Sequence, residues 1–248
     1  RNPPPLCFPI TLSNACSFHD PKEQTMKKLL IGISIALNAI VLAIVIWAGP
    51  GGGLMKMFGD NFIRPGYERL VSQYETLGVA PGETVFLGDS ITDGGRWAEW
   101  FPARKVRNRG IGGDTTAGVL ARLDQVSAGH PARVFLLIGT NDLALGVSED
   151  IIVANTISIL DGIKRTSPET ELFVQSVLPR AAEYRGAVEA LNRTLAAETA
   201  DRATWVDLYP LFLDTTDGSI KDEFSNDELH LHGAGYALWR ETLIPLFR

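Results

Sequence analysis

The sequence predicts an α/β fold, a parallel β-sheet with helices packed on both faces. Three observations carry this. Five short apolar segments of strand length recur between Glu83 and Leu208, stretches with helical apolar spacing separate them, and Gly, Asp and Asn gather where the first three end. The chain has 248 residues, 45% hydrophobic and 21% charged, enough for one substantial core once the N-terminus is set aside.

Residues 1–25 lack an initiator methionine, contain three consecutive prolines and hold both cysteines, Cys7 and Cys16. They are expected to be an upstream extension, disordered or non-native. From Met26 onward there is no cysteine, which excludes a disulfide, a cysteine nucleophile and a thiolate metal site there. Residues 26–48, MKKLLIGISIALNAIVLAIVIWA, place two lysines before an almost unbroken apolar run from Leu29 to Ala48. That run is as long as a bilayer-spanning helix and longer than the apolar core of most export signals, so an uncleaved signal anchor is expected. Cleavage after Ala48 is the alternative. Lys27 and Lys28 should stay on the cytoplasmic side, which exports the remainder to a periplasmic or extracellular location, anchored to the inner membrane by residues 29–48 or secreted if cleaved. Residues 49–62, opening with GPGGG, read as a linker.

The remaining residues, 63–248, form the predicted catalytic-sized domain. IRPGYERLVSQYETLG sets Tyr67, Leu70, Val71, Tyr74 and Leu77 at helical spacing, with Pro65 near the start and Gly78 at the end. The strands are ETVFLG, RKVRNRG, RVFLLIG, ELFVQSV and TWVDL. Between them TTAGVLARLDQVSAG, Asp150 to Lys164 and Ala182 to Ala200 read as helices, and a closing helix begins at Gly235, with Tyr236, Leu238, Trp239 and Leu243 as its apolar residues. Omitting residues 1–50 leaves 19 basic against 27 acidic residues, a net charge of −8, which argues against a nucleic-acid partner. The basic run RKVRNR at 104–109 reads as a solvated surface beside a strand.

Ligands of such sheets gather beyond the carboxyl ends of the strands. There the first strand ends in Gly-Asp-Ser with Ser90, the second is followed by GIGGD with Gly113, and the third ends in GTND with Asn141. A serine nucleophile needs donors aimed at the oxygen that turns negative in acyl transfer. The backbone N–H of Ser90, the N–H of Gly113 and the Asn141 amide can supply them. Of four histidines, His19 precedes the apolar run and His130 precedes the third strand, at the wrong end. His230 and His232 remain, and Asp227, three residues before His230, can orient one imidazole nitrogen so that the other faces the serine. GIGGDT is a weak phosphate-loop signal because its third glycine is missing and no GK[ST] occurs. No histidine and carboxylate cluster has metal-ligand spacing, so no metal and no cofactor is expected.

The ordered set GDSIT, NRGIGGDTT, GTND and DxxH resembles the SGNH hydrolase superfamily, the GDSL-type esterases and lipases. With LPR at Leu178–Arg180 and HLxxxGY, it is similar to the subgroup like platelet-activating-factor acetylhydrolases and lysophospholipases. The resemblance implies a three-layer α/β/α sandwich with a five-stranded parallel sheet, the flavodoxin-like SGNH fold. It assigns Ser90 as nucleophile, Asp227 and His230 as the other triad members, and Ser90, Gly113 and Asn141 as oxyanion donors. Two departures stand out: Ile91 replaces leucine, and Glu228 replaces the glycine that often follows the aspartate of the last motif. Glu228 is expected to alter that turn or add charge at the rim.

Asp89, Asp114 and Asp142 are expected to brace loops. Trp97, Leu178 and Leu229 are candidate substrate-pocket residues, with plain core packing as the alternative for each. The expected reaction is hydrolysis of short-chain carboxylic esters. Carbohydrate deacetylation, thioester cleavage and lysophospholipid hydrolysis share its chemistry, and a noncatalytic envelope protein binding an acylated glycan or lipid is the contrasting class.

Overall fold

A computed structural model describes residues 21–48, 53 and 64–247. Residues 1–20 of the expected extension and the expected linker, Gly53 apart, lie outside the described residues. Contacts divide the chain into two units, Arg1–Asp60 and Asn61–Arg248, each considered by itself.

In the first unit, helix α1 spans Pro21–Ala48. It begins ahead of Met26, so residues 21–25 are helical. A proline fits there because the first turn has no helical partner for the N–H it lacks. Lys28–Trp47 has mean hydropathy 2.8 with none of it buried, long and apolar enough to cross a membrane.

The second unit runs through α2 (Arg64–Leu77), β1 (Thr84–Gly88), β2 (Val106–Gly110), β3 (Arg133–Leu137), α3 (Glu149–Thr166), β4 (Glu171–Gln175), α4 (Arg185–Glu198), β5 (Thr204–Val206) and α5 (Gly233–Leu243). The five strands form one parallel sheet in the order β2-β1-β3-β4-β5. The order reverses direction after β2, which puts the exits of β1 and β3 side by side.

Side-chain alternation along the strands builds a core on each face. Phe86, Phe135 and Phe173 sit in register on β1, β3 and β4. Their rings stack at centroid distances of 5.2 and 4.5 Å, and they pack with Tyr236, Trp239 and Leu243 of α5. The opposite face carries Val85, Leu87, Val134, Leu136, Leu172 and Val174, covered by Ile159, Leu160 and Ile163 of α3. Burying each such phenylalanine contributes about 1.5–3 kcal/mol, so the two layers are the main source of stability.

The fold of this unit departs from the sequence expectations in several places. The helix expected over TTAGVLARLDQVSAG is two short helices, Thr116–Ala121 and Asp124–Ser127, broken at Arg122 and Leu123, where the Arg122 side chain is buried. Of the apolar positions expected on α2, Tyr74 is buried while Leu77 is 67% exposed. The basic run at 104–109 is not a uniformly solvated surface. Arg107 pairs with Glu83 at 2.6 Å, and Arg109 is only 3% exposed, bonding the Gly78 carbonyl and lying 4.7 Å from the Tyr74 ring centroid. Four one-turn helices, Ser90–Asp93, Trp97–Trp100, Thr140–Ala144 and Tyr209–Phe212, are too short to leave a periodic signal.

Candidate active site

Strand β1 delivers Ser90 as the first residue of the helix Ser90–Asp93, directly after the buried Asp89. Asp89 Oδ1 accepts from the Ile91 N–H at 2.9 Å, so the aspartate expected to brace the turn is the cap of that helix. Burial lifts its carboxyl to about 7 against the opposing Ile91 hydrogen bond, with nearby Asp114 adding to the rise. The short helix lies close over the end of β2. A Cβ on Gly110 would fall 2.2 Å from the Asp93 nitrogen, so only glycine permits that approach.

Gly113 follows β2 with φ +78°, and beyond its own chain neighbours no atom lies within 4 Å of where its Cβ would point. Its requirement is therefore backbone conformation, with the adjoining space open. Asn141 sits in the helix Thr140–Ala144 beyond β3, and its Nδ2 donates to the Asp114 carbonyl at 2.8 Å, leaving the second amide hydrogen for another acceptor. Beneath these groups lies a buried polar brace. Arg122 pairs with Asp114 at 2.7 Å and donates to the Gly88 and Arg109 carbonyls at 3.2 and 2.8 Å. Asp142 accepts from the Thr116 N–H at 3.0 Å and the Thr116 hydroxyl at 2.6 Å. The exits of β1, β2 and β3 are thereby tied together by charge-assisted bonds out of water.

The histidine arrives from far along the chain. His230 Nε2 stands 2.9 Å from Ser90 Oγ, and His230 Nδ1 stands 2.7 Å from Asp227 Oδ2. Asp227 Oδ1 accepts from the N–H groups of Leu229 and His230 at 3.1 and 2.7 Å, which shapes the turn. Burial works to raise the Asp227 carboxyl, but the His230 ring and backbone hydrogen bonds outweigh it and hold it down at about 2. An ionised carboxylate only accepts, so Nδ1 carries the hydrogen and Nε2 is left to accept from the serine hydroxyl. Glu228 has φ +58°, the left-handed region that suits the glycine it replaces.

His232 stands exposed as the residue preceding α5, its N–H donating to the Phe224 carbonyl at 2.6 Å. His130 precedes β3 at the opposite end of the sheet. Two pocket candidates are corrected. Trp97 and Leu178 are each 1% exposed and belong to the core; the Trp97 ring stacks 3.9 Å from Phe86 and its N–H donates to the Thr92 carbonyl. Leu229 is half-buried against the same core, beside the histidine. The structure adds Arg122, Thr116 and Arg180 around the site. Arg122 lies in a helix-like pattern whose spacing carries no sign that its side chain turns inward. Among the described residues no group of three or more His, Cys, Asp and Glu could hold a metal.

The family model described as "GDSL-like Lipase/Acylhydrolase family" matches residues 86–238. This chain belongs to that family. As a GDSL-like acylhydrolase it is an ester hydrolase. It is 31% identical over 165 residues to the human platelet-activating factor acetylhydrolase IB subunit alpha1, covering 62% of this chain and 70% of that protein. The human alpha2 subunit is 30% identical over 170 residues, with 62% and 71% covered. A solved structure from Streptococcus pneumonia superposes with a TM-score of 0.71 at 26% identity, covering 79% of this chain and 100% of that one. A GDSL-like lipase from Bacteroides thetaiotaomicron gives a TM-score of 0.65 at 24% identity, covering 73% and 96%, and shares the fold of this acylhydrolase.

Proposed function

We propose that this acylhydrolase cleaves short-chain carboxylic esters with Ser90 as nucleophile, His230 as general base and acid, and Asp227 as the group that orients and stabilises the imidazole. The observation that carries the proposal is the unbroken chain Asp227 Oδ2, His230 Nδ1, His230 Nε2, Ser90 Oγ, with steps of 2.7 and 2.9 Å. As Ser90 Oγ attacks the acyl carbon, its proton passes to His230 Nε2, and the ionised Asp227 stabilises the imidazolium. The Ser90 N–H, the Gly113 N–H and the free hydrogen of the Asn141 amide receive the negative oxygen of the tetrahedral intermediate. The imidazolium gives its proton to the leaving alcohol, and water repeats the sequence to release the acid.

The acetyl group in the names of the 30–31% identical relatives supports a short acyl chain. The test is hydrolysis of p-nitrophenyl esters of increasing chain length. Activity should peak at acetyl to butyryl and vanish in Ser90→Ala, and a fluorophosphonate should label Ser90 of the wild type alone. A peak at long acyl chains would overturn the chain-length reading, and an active Ser90→Ala would overturn the nucleophile.

We further propose that residues 29–48 of α1 are an uncleaved anchor and that 63–248 is a self-sufficient hydrolase domain. The 20-residue apolar span supports the anchor. Membrane fractionation and the intact mass of the native protein test it, since a mass lacking residues up to Ala48 would mean secretion. The domain is tested by expressing residues 63–248, which should retain full activity.

A further inference from the structure

We propose that Arg180 is a positioning residue for ester hydrolysis and acts on Asn141 through Thr140. This rests on Asn141 being an oxyanion donor. The helix that carries Asn141, Thr140–Ala144, is a single turn, and Gly139 before it offers no side-chain cap. One turn does not hold its own orientation, so outside anchors must set the direction of the amide. The Asp114 carbonyl is one, and Asp142 bonded to Thr116 is another. Arg180 is the third. Its Nη1 donates to the Thr140 carbonyl at 3.0 Å and to the Thr140 hydroxyl at 3.2 Å, one residue from Asn141.

Arg180 is itself tightly held. Its guanidinium carbon lies 3.9 Å from the Tyr184 ring centroid, so the planar group is stacked as well as hydrogen-bonded. Its carbonyl accepts from the Ile220 N–H at 3.2 Å. Upstream, Val177 is bonded through both N–H and carbonyl to the Asn192 amide at 2.8 and 2.9 Å. An arginine fixed on both backbone and ring can fix the buried Thr140 in turn, and an oxyanion donor works only when it is aimed before the charge develops.

The test is a double-mutant cycle with kcat and KM measured separately. Asn141→Ala should lower kcat about 10²–10³-fold. Arg180→Ala should lower kcat about 10–100-fold, the cost of a misplacement of about 1 Å, with KM changed less than about threefold. In the Asn141→Ala background the same change should cost less than about threefold, because the donor it aims is gone. Arg180→Lys, which keeps the charge but not the planar fork, should not rescue kcat. If Arg180→Ala fails to fold, Arg180→Met keeps bulk over Tyr184 and carries the same cycle. Losses that multiply, or a lysine variant equal to wild type, would overturn the proposal and leave the oxyanion assignment intact. An Asn141→Ala enzyme with unchanged kcat would overturn both.

Discussion

The two halves of the candidate site are built differently. Ser90, Gly113 and Asn141 stand on a brace of Asp89, Asp114, Thr116, Arg122 and Asp142, none more than 5% exposed. Asp227 and His230 belong to a surface turn, with side chains 48% and 47% exposed. The turn is held by hydrogen bonds within itself, from Ser225 to Asp227 and from Leu229 and His230 back to Asp227, and by the bridge between Ser225 and Leu231. Groups that stabilise developing charge are useful only if they are rigid and shielded from water, where their dipoles act at full strength. A base that takes a proton and passes it to a leaving group works at the water-facing edge. On the proposed mechanism one half is invested in rigid charge stabilisation and the other in proton transfer, and mutations should separate the two.

The largest separation should come from His230→Ala, which should lower kcat/KM by about 10⁴-fold or more while moving the unfolding free energy by less than about 1 kcal/mol. Ester turnover and urea denaturation on one preparation test this. A large loss of stability would show that the turn carries the fold as well. On the other side, Arg122→Met should cost about 3–5 kcal/mol of stability, because it strands the buried Asp114 carboxylate. A denaturation midpoint equal to wild type would mean the brace is dispensable.

The pH dependence of stability sharpens the contrast. Asp89, at about 7 in the folded protein, keeps a proton that an unfolded aspartate loses near pH 4, about its reference value. The folded state thus binds the extra proton between about pH 4 and 7, and stability falls as pH rises across that window. Asp89→Asn keeps the cap acceptor for Ile91 and should remove that part of the slope, measured as the difference in midpoint between pH 4.5 and 7.5. Asp227, held down at about 2, has the opposite sign. Its contribution is present above the unfolded value near 4 and is lost as pH falls through 2, so it leaves the neutral range unchanged. The smallest effect is expected for Glu228→Gly. Removing a side chain held at φ +58° should add about 0.5–1 kcal/mol with activity unchanged, by thermal denaturation and ester assay.

Much of the surroundings of Ser90 was legible because they lie at the ends of short apolar strands, where Gly-Asp-Ser, GIGGD and GTND each stand within a few residues of the strand that delivers them. The parallel order was legible for the same reason, since strands separated by amphipathic helices have few other ways to pair. Trp97 and Leu178 were open to two readings because an apolar residue beside a motif has the same identity whether it lines a pocket or fills a core. Their burial, and the stacking of Trp97 on Phe86, separate the two.

By itself the sequence determined which residue types stand at each strand exit, how long the apolar N-terminal run is, and that an aspartate precedes a histidine by three positions. These are local properties, written in order along the chain. Tertiary structure alone decided that Arg122 turns inward to Asp114 and that Arg180 reaches Thr140, and it set the 2.9 Å at which His230, 140 positions along the chain, stands from Ser90. A side chain's direction depends on which distant backbone carbonyls and rings surround it, and those neighbours exist only once the sheet has brought its strand ends together.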